Sequence, residues 1–190
     1  MHAGPNAPLN GLHAALTRAI QVNGVQPSQI ILGLPAYGRV FTCDADGDAD
    51  GDADGDADGD ADGDAAIGNS INIVNGNCSC KEKNFKKKSF DIMINIASNT
   101  TNLCTNHYNN ITATPYWECL HGSNTTINNN PMHIRQQGWY DDANSLQIKI
   151  NLLKQFNIQS VGLWSANGIS AGTMNDDSIW QLLKHWTSTR

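Results

Sequence analysis

The chain has 190 residues, 39% hydrophobic and 7% aromatic, with a formal charge of −6, which suits a globular protein of ordinary domain size. That charge is local: eleven of the eighteen acids are aspartates between Asp44 and Asp64, and the remainder of the chain is mildly basic. The basic residues neither dominate nor line a face, which argues against a nucleic-acid partner, and no apolar run reaches the length of a membrane span.

The opening residues, Met1 to Pro8, have neither a basic n-region nor an apolar h-region, so no signal peptide is expected in this chain. From Leu9 to Asn23, Leu9, Leu12, Leu16 and Ile20 recur at helical spacing, with Pro8 at the start and Gly24 past the end. Ile30 to Leu34 runs apolar without alternation, as a strand buried on both faces does in a parallel sheet, and Pro35 ends it. Helix, short loop and buried strand make half of a βα repeat.

Residues 42–135 break this rhythm. Five tandem copies of Asp-Ala-Asp-Gly fill residues 44–63, and self-repulsion predicts disorder over 44–64. Aspartates at alternate positions with a following glycine imitate part of a calcium loop, but no glutamate closes it, so no metal site is expected. A lysine cluster (Lys81, Lys83, Lys86, Lys87, Lys88) follows and reads as a solvated face. Phe90 to Ala97 predicts a short helix, Pro115-Tyr116-Trp117 a strand, and His133 to Tyr140 a return beside it. All five cysteines (Cys43, Cys78, Cys80, Cys104, Cys119) fall in this segment, as do four Asn-x-Ser/Thr acceptors at Asn77, Asn99, Asn110 and Asn124. Both features point to an oxidising, secretory compartment, although two bridges and a leftover thiol allow about 15 pairings.

The repeat rhythm then resumes. Leu146, Ile150 and Leu153 share one face of a helix predicted over Asp142 to Asn157, with Asp142 or Asn144 as its cap. Ile158 to Trp164 is the next strand, and Asp176-Asp177-Ser178 opens a last helix that buries Ile179, Leu183 and Trp186.

Three segments in this order resemble glycoside hydrolase family 18. They are Gly33-Leu34-Pro35-Ala36-Tyr37-Gly38-Arg39-Val40-Phe41, then Trp139-Tyr140-Asp141-Asp142 with Ser145 and Lys149, then Gly162-Leu163-Trp164-Ser165. Within the family, Thr42-Cys43, Thr114-Pro115-Tyr116, Trp164-Ser165-Ala166-Asn167 and Trp180 with Leu183-Lys184 resemble the chitobiase branch. The resemblance implies an α/β fold: the C-terminal part of a (β/α)8 TIM barrel with an α+β insertion, the first six βα units missing. Residues 1–41 would hold barrel helix 6 and strand 7, residues 42–135 the insertion, and residues 136–190 helix 7, strand 8 and helix 8.

The implied activity is retaining, substrate-assisted hydrolysis of β-1,4-linked N-acetylglucosamine, in which the substrate's acetamido oxygen attacks and a glutamic acid protonates the leaving oxygen. The family's Asp-x-x-Asp-x-Asp-x-Glu run does not occur in this sequence, whose glutamates are Glu82 and Glu118. No catalytic residue is therefore assigned, and the chain alone is expected to be inactive. By the same resemblance, Trp164 would floor a sugar subsite, since an indole covers the C–H face of a pyranose. Tyr37 and Arg39 would line the cleft where barrel enzymes keep their sites, with Tyr140 and Asp141 either on the wall lent by the insertion or, equally, in a structural role. Trp139 or Trp117 would extend the platform, with a structural role the favoured alternative. The expected partners are N-acetylglucosamine oligosaccharides (chitobiose, chitin fragments), without cofactor, nucleic acid or membrane. The parent protein would be monomeric and lysosomal or secreted. A chitinase-like lectin and a partial, functionless gene product remain as alternatives.

Overall fold

The computed structural model describes residues 3–43, 85–98, 104–127, 130–169 and 174–188. Helix α1 (Leu9–Thr17) runs on into one π-helical turn, Arg18–Val22, and Gly24 follows at a φ of 69°, the left-handed position that favours glycine after a helix. A short turn, Pro27–Gln29, leads to strand β1 (Ile31–Pro35). There follow β2 (Tyr37–Cys43), β3 (Phe85–Ser89), α2 (Phe90–Ser98), β4 (Cys104–Asn109), β5 (Thr114–Ile127) and β6 (Asn130–Trp139). Helix α3 (Ala143–Gln155), strand β7 (Ser160–Trp164) and helix α4 (Met174–Ser188) complete the order. Among the described residues no helix is long and apolar enough to cross a membrane.

Two sheets result. Strands β1 and β7 pair in parallel, Ile31 opposite Ser160 and Pro35 opposite Trp164. The main apolar core packs against them, with Leu146, Ile150 and Leu153 from α3 and Ile179 and Trp186 from α4. The other sheet is antiparallel in the order β3-β2-β6-β5-β4. Its pairing runs from Tyr37 to Trp139, so it crosses the boundaries expected at 41/42 and 135/136.

The expectation that β1 is buried on both faces is corrected. Leu34 is buried and Leu32 packs against the same core, but Ile31, alternating to the other side, is 73% exposed, and β7 is the strand's only described neighbour. Three strands are additions to the sequence reading. Strand β2 continues from β1 after a single residue, Ala36, while β3 and β4 form the two edges of the antiparallel sheet. Cys104 and Cys119, opposed in register across β4 and β5, form a disulfide. Cys78, Cys80, Asn77, Asn99 and the Asp-Ala-Asp-Gly copies lie outside the described residues. Asn110 is exposed in the turn between β4 and β5, and Asn124 lies on β5 where its register with β6 shifts.

In an antiparallel sheet directly opposed residues share a face, so the register sorts the side chains into two sets. One face, carrying Val40, Trp117 and Cys119, is covered by α2 through Met93. Two glycines make this closeness possible. A Cβ on Gly138 would fall 2.1 Å from the Trp117 ring, and one on Gly38 would fall 2.5 Å from Met93 Cγ. Trp117 is enclosed and rigid, whereas a methionine can change rotamer. Gly138→Ala should therefore lower stability by about 1–3 kcal/mol or more, and Gly38→Ala by clearly less. Urea denaturation of the two variants side by side checks the order.

Candidate functional site

The C-terminal ends of β1 and β7 meet where the chain enters the antiparallel sheet. Pro35 is the register partner of Trp164, and the N–H of Ala36 donates to the Trp164 carbonyl at 2.8 Å. Trp164, whose peptide bond to Ser165 is cis, is 59% exposed. One residue beyond Ala36 begins the other face of the sheet, buried at its centre, where Ala3 packs with Phe41 and Trp139, and open at its β3 and β4 edges; it carries Tyr37, Arg39 and Phe41 on β2. Trp139 and Gln137 on β6, Tyr116 and Glu118 on β5, His107 on β4 and Phe85 and Lys87 on β3 share that face. The Tyr37 carbonyl accepts a 2.8 Å bond from Asn6 Nδ2, which ties the N-terminal segment to the start of β2.

The structure thus brings Trp164, Tyr37 and Arg39 to the same end of the parallel strands, and it places Tyr140 and Asp141 elsewhere. Tyr140 follows Trp139 in the chain and turns to the covered face, into the apolar cluster with Met93 and Trp117. Burial pushes its phenol up to about 12, with a smaller contribution from Asp142. Asp141 is 1% exposed and pairs with Lys149, itself fully buried. Neither presents its polar group to the open face, so of the two roles open to them the geometry supports the structural one.

Their motif builds a latch. Asp141, Ser145 and Lys149 are spaced by four, so they share one side of the helix and its approach. Asp141 Oδ1 accepts from Ser145 Oγ at 2.8 Å and from Lys149 Nζ, which also reaches Thr114 Oγ1 at 3.5 Å. Asp142 caps α3, its Oδ1 accepting the Ser145 N–H at 2.7 Å while its own N–H donates to Ser145 Oγ at 2.9 Å. Burial raises the Asp141 carboxyl and lowers the Lys149 ammonium, and in each case the partner's charge opposes the larger desolvation effect.

Trp139 and Trp117 do not extend a sugar platform either; each is 1% exposed. The Trp139 ring stacks on Tyr116 at 4.2 Å between centroids, and Tyr116 on His107 at 4.9 Å, so the rings cover one another's faces. Sequence reasoning missed His107, Phe85 and Lys87 on the open face, since their strands lack an apolar alternation. Sequence reasoning gave Lys149 no role beyond its place in the motif, although its helical spacing from Asp141 is the signal that points to the pair. Glu118, the acid on the open face, is engaged by Arg135. Among the described residues, no three of His, Cys, Asp or Glu are gathered to hold a metal ion. An open cavity of about 400 Å³ lies between β7 and α4, and its lining includes none of Trp164, Tyr37 and Arg39.

The family model for glycosyl hydrolases family 18 matches residues 2–168, and the chain belongs to that family. No curated protein is similar enough in sequence to match. Among solved structures, a C-terminal domain from Desulfitobacterium hafniense is 21% identical with a TM-score of 0.61, covering 97% of this chain and 42% of that one. A chitinase from Chromobacterium violaceum is 15% identical with a TM-score of 0.58, covering 100% and 42%. Human YKL-39, a pseudo-chitinase with retained chitooligosaccharide binding, is 14% identical with a TM-score of 0.60, covering 98% and 46%. At these identities the likeness is one of α/β fold, and the chain spans less than half the length of each of the three.

Two expectations follow from the buried groups. Removing the Lys149 charge alone strands a carboxylate away from water, so Lys149→Met should cost about 3–5 kcal/mol, while Asp141→Asn with Lys149→Met should restore much of it. A double-mutant cycle in denaturant measures the difference. Tyr140 has a raised folded pKa, so its contribution to stability is complete below pH 10, its ordinary value, and is lost as pH rises through about 12. The wild-type chain should lose about 2–3 kcal/mol more than Tyr140→Phe across that window. Denaturation curves of both proteins at pH 9 and at about pH 12 test it.

Proposed function

We propose that this chain is the C-terminal, sugar-contacting portion of a retaining, substrate-assisted glycosidase that hydrolyses β-1,4-linked N-acetylglucosamine, of the di-N-acetylchitobiase type. The observation that carries the reading is Trp164, exposed at the shared end of two parallel strands with Tyr37 and Arg39 beginning one residue beyond Ala36. An indole in that position supplies an apolar floor for a pyranose, and Arg39 and Tyr37 supply polar groups at its border. The parallel pair would be the seventh and eighth strands of a (β/α)8 barrel, with the antiparallel sheet as the α+β insertion. The disulfide and the exposed Asn110 acceptor support a glycosylated, lysosomal or secreted parent, which we take to be monomeric.

A second reading has its own support. The chain's glutamates are Glu82 and Glu118, and Glu118 is engaged by Arg135, so the described residues offer binding rather than proton donation. A chitinase-like lectin, similar in kind to YKL-39, would make the same use of Trp164.

Titration of the purified chain with chitotetraose, followed by calorimetry, should show binding. Trp164→Ala should weaken it roughly tenfold or more, through loss of the stacking surface. Absence of binding by the wild-type chain would overturn the reading. A fluorogenic chitobioside should not be turned over by this chain, for want of a positioned proton donor.

A further inference from the structure

Arg39 on β2 and Lys87 on β3 stand directly opposite one another in the antiparallel register. Their Cβ atoms are therefore about 4.5–5.5 Å apart, and like charges so placed weaken a strand pair. Nothing among the described residues neutralises them. Glu118, the carboxylate on this face, is engaged by Arg135, and Asp141 is buried with Lys149. What surrounds the two cations is aromatic. Lys87 Nζ lies 4.4 Å from the centroid of Tyr37, and Arg39 Cζ lies 5.0 Å from that of Phe85. The two contacts cross diagonally between the strands, and each orients a cation without cancelling its charge. Lys87 and Phe85 are exposed, so the pair opens to solvent.

We propose that Arg39 and Lys87 form an anion subsite beside the sugar floor, one that selects N-acetylglucosamine oligosaccharides carrying a sulfate ester or carboxylate. The inference rests on the proposed function, because Trp164 supplies the floor. Its carbonyl accepts from the Ala36 N–H, and Arg39 stands three residues further along the chain on β2. An anionic oxygen group placed between the two side chains removes their repulsion and accepts charge-assisted hydrogen bonds from both. Lys86 and Lys88 alternate to the opposite face and take no part.

The test titrates the full chain with chitotetraose, with its 6-O-sulfated form and with a form bearing 6-carboxylates. Either anionic ligand, or both, should bind about tenfold more tightly than the neutral one at low salt. The preference should shrink toward physiological salt, because both cations are near solvent. Whether sulfate, carboxylate or both are preferred identifies the source of the anion. Lys87→Gln should bring the ratio of anionic to neutral affinity close to one, and Lys86→Gln should leave it unchanged. Equal affinity for neutral and anionic ligands in the wild type would overturn the inference and leave the sugar-binding reading standing. A preference that survives Lys87→Gln would overturn it as well. Failure of every oligosaccharide to bind would remove both the reading and the inference.

Discussion

The ammonium of Lys149 and the carboxylate of Asp141 leave water together, and the relation of the two sheets depends on that shared burial. Lys149 is carried by α3, whose apolar face packs in the core with Leu34 of β1 and with α4. Asp141 ends the segment leaving β6, and Thr114, within reach of the same ammonium, begins β5. Three chain segments thus converge on one charge. Desolvation opposes ionisation in both partners, so the pair is a poor source of net stability. Its value is geometric, because a buried network whose bonds close in one arrangement penalises every other.

With that anchor set, the antiparallel sheet divides its labour by alternation. Residues of one parity are pressed under α2, where Gly38 and Gly138 let Met93 and the Trp117 indole lie against bare backbone. Residues of the other parity form the open face. Because β1 runs into β2 across Ala36 alone, that face starts at the end of the parallel strands where Trp164 is exposed. The chemistry of the open face is what remains once the apolar positions are satisfied: stacked rings, the cations Arg39 and Lys87, and Glu118 engaged by Arg135.

Much of this was legible in the chain itself. Helices α1, α2, α3 and α4 and strands β1 and β7 announce themselves because each places apolar residues at the period its own core contact requires. Strands β3 and β4 were silent for a physical reason. Phe85-Lys86-Lys87-Lys88-Ser89 and Cys104-Thr105-Asn106-His107 are edge strands with little apolar alternation, stabilised by a neighbour rather than by propensity. Strand β2 was hidden by Gly38, which reads as a turn residue but serves close packing. At the site, Trp164, Tyr37 and Arg39 were singled out from their motifs, and the structure gathers them at one end of the parallel strands. For Tyr140 and Asp141 the motif left cleft wall and structural role open, because a motif fixes neighbours in sequence while the direction of a side chain depends on where the alternation of β6 ends. Trp139 takes the open face, and its successor is thereby committed to the interior.

Strands β2 and β3 are hydrogen-bonded partners, with Phe41 opposite Phe85, so the ends of the connection between them are held close whatever its length. The five Asp-Ala-Asp-Gly copies, residues 44–63, make up about half of that connection, which spans residues 44–84. Closing a loop between fixed ends costs only about 0.6 kcal/mol more for each doubling of its length. Gaining or losing copies of the four-residue unit should thus be close to neutral for the pairing of β2 with β3.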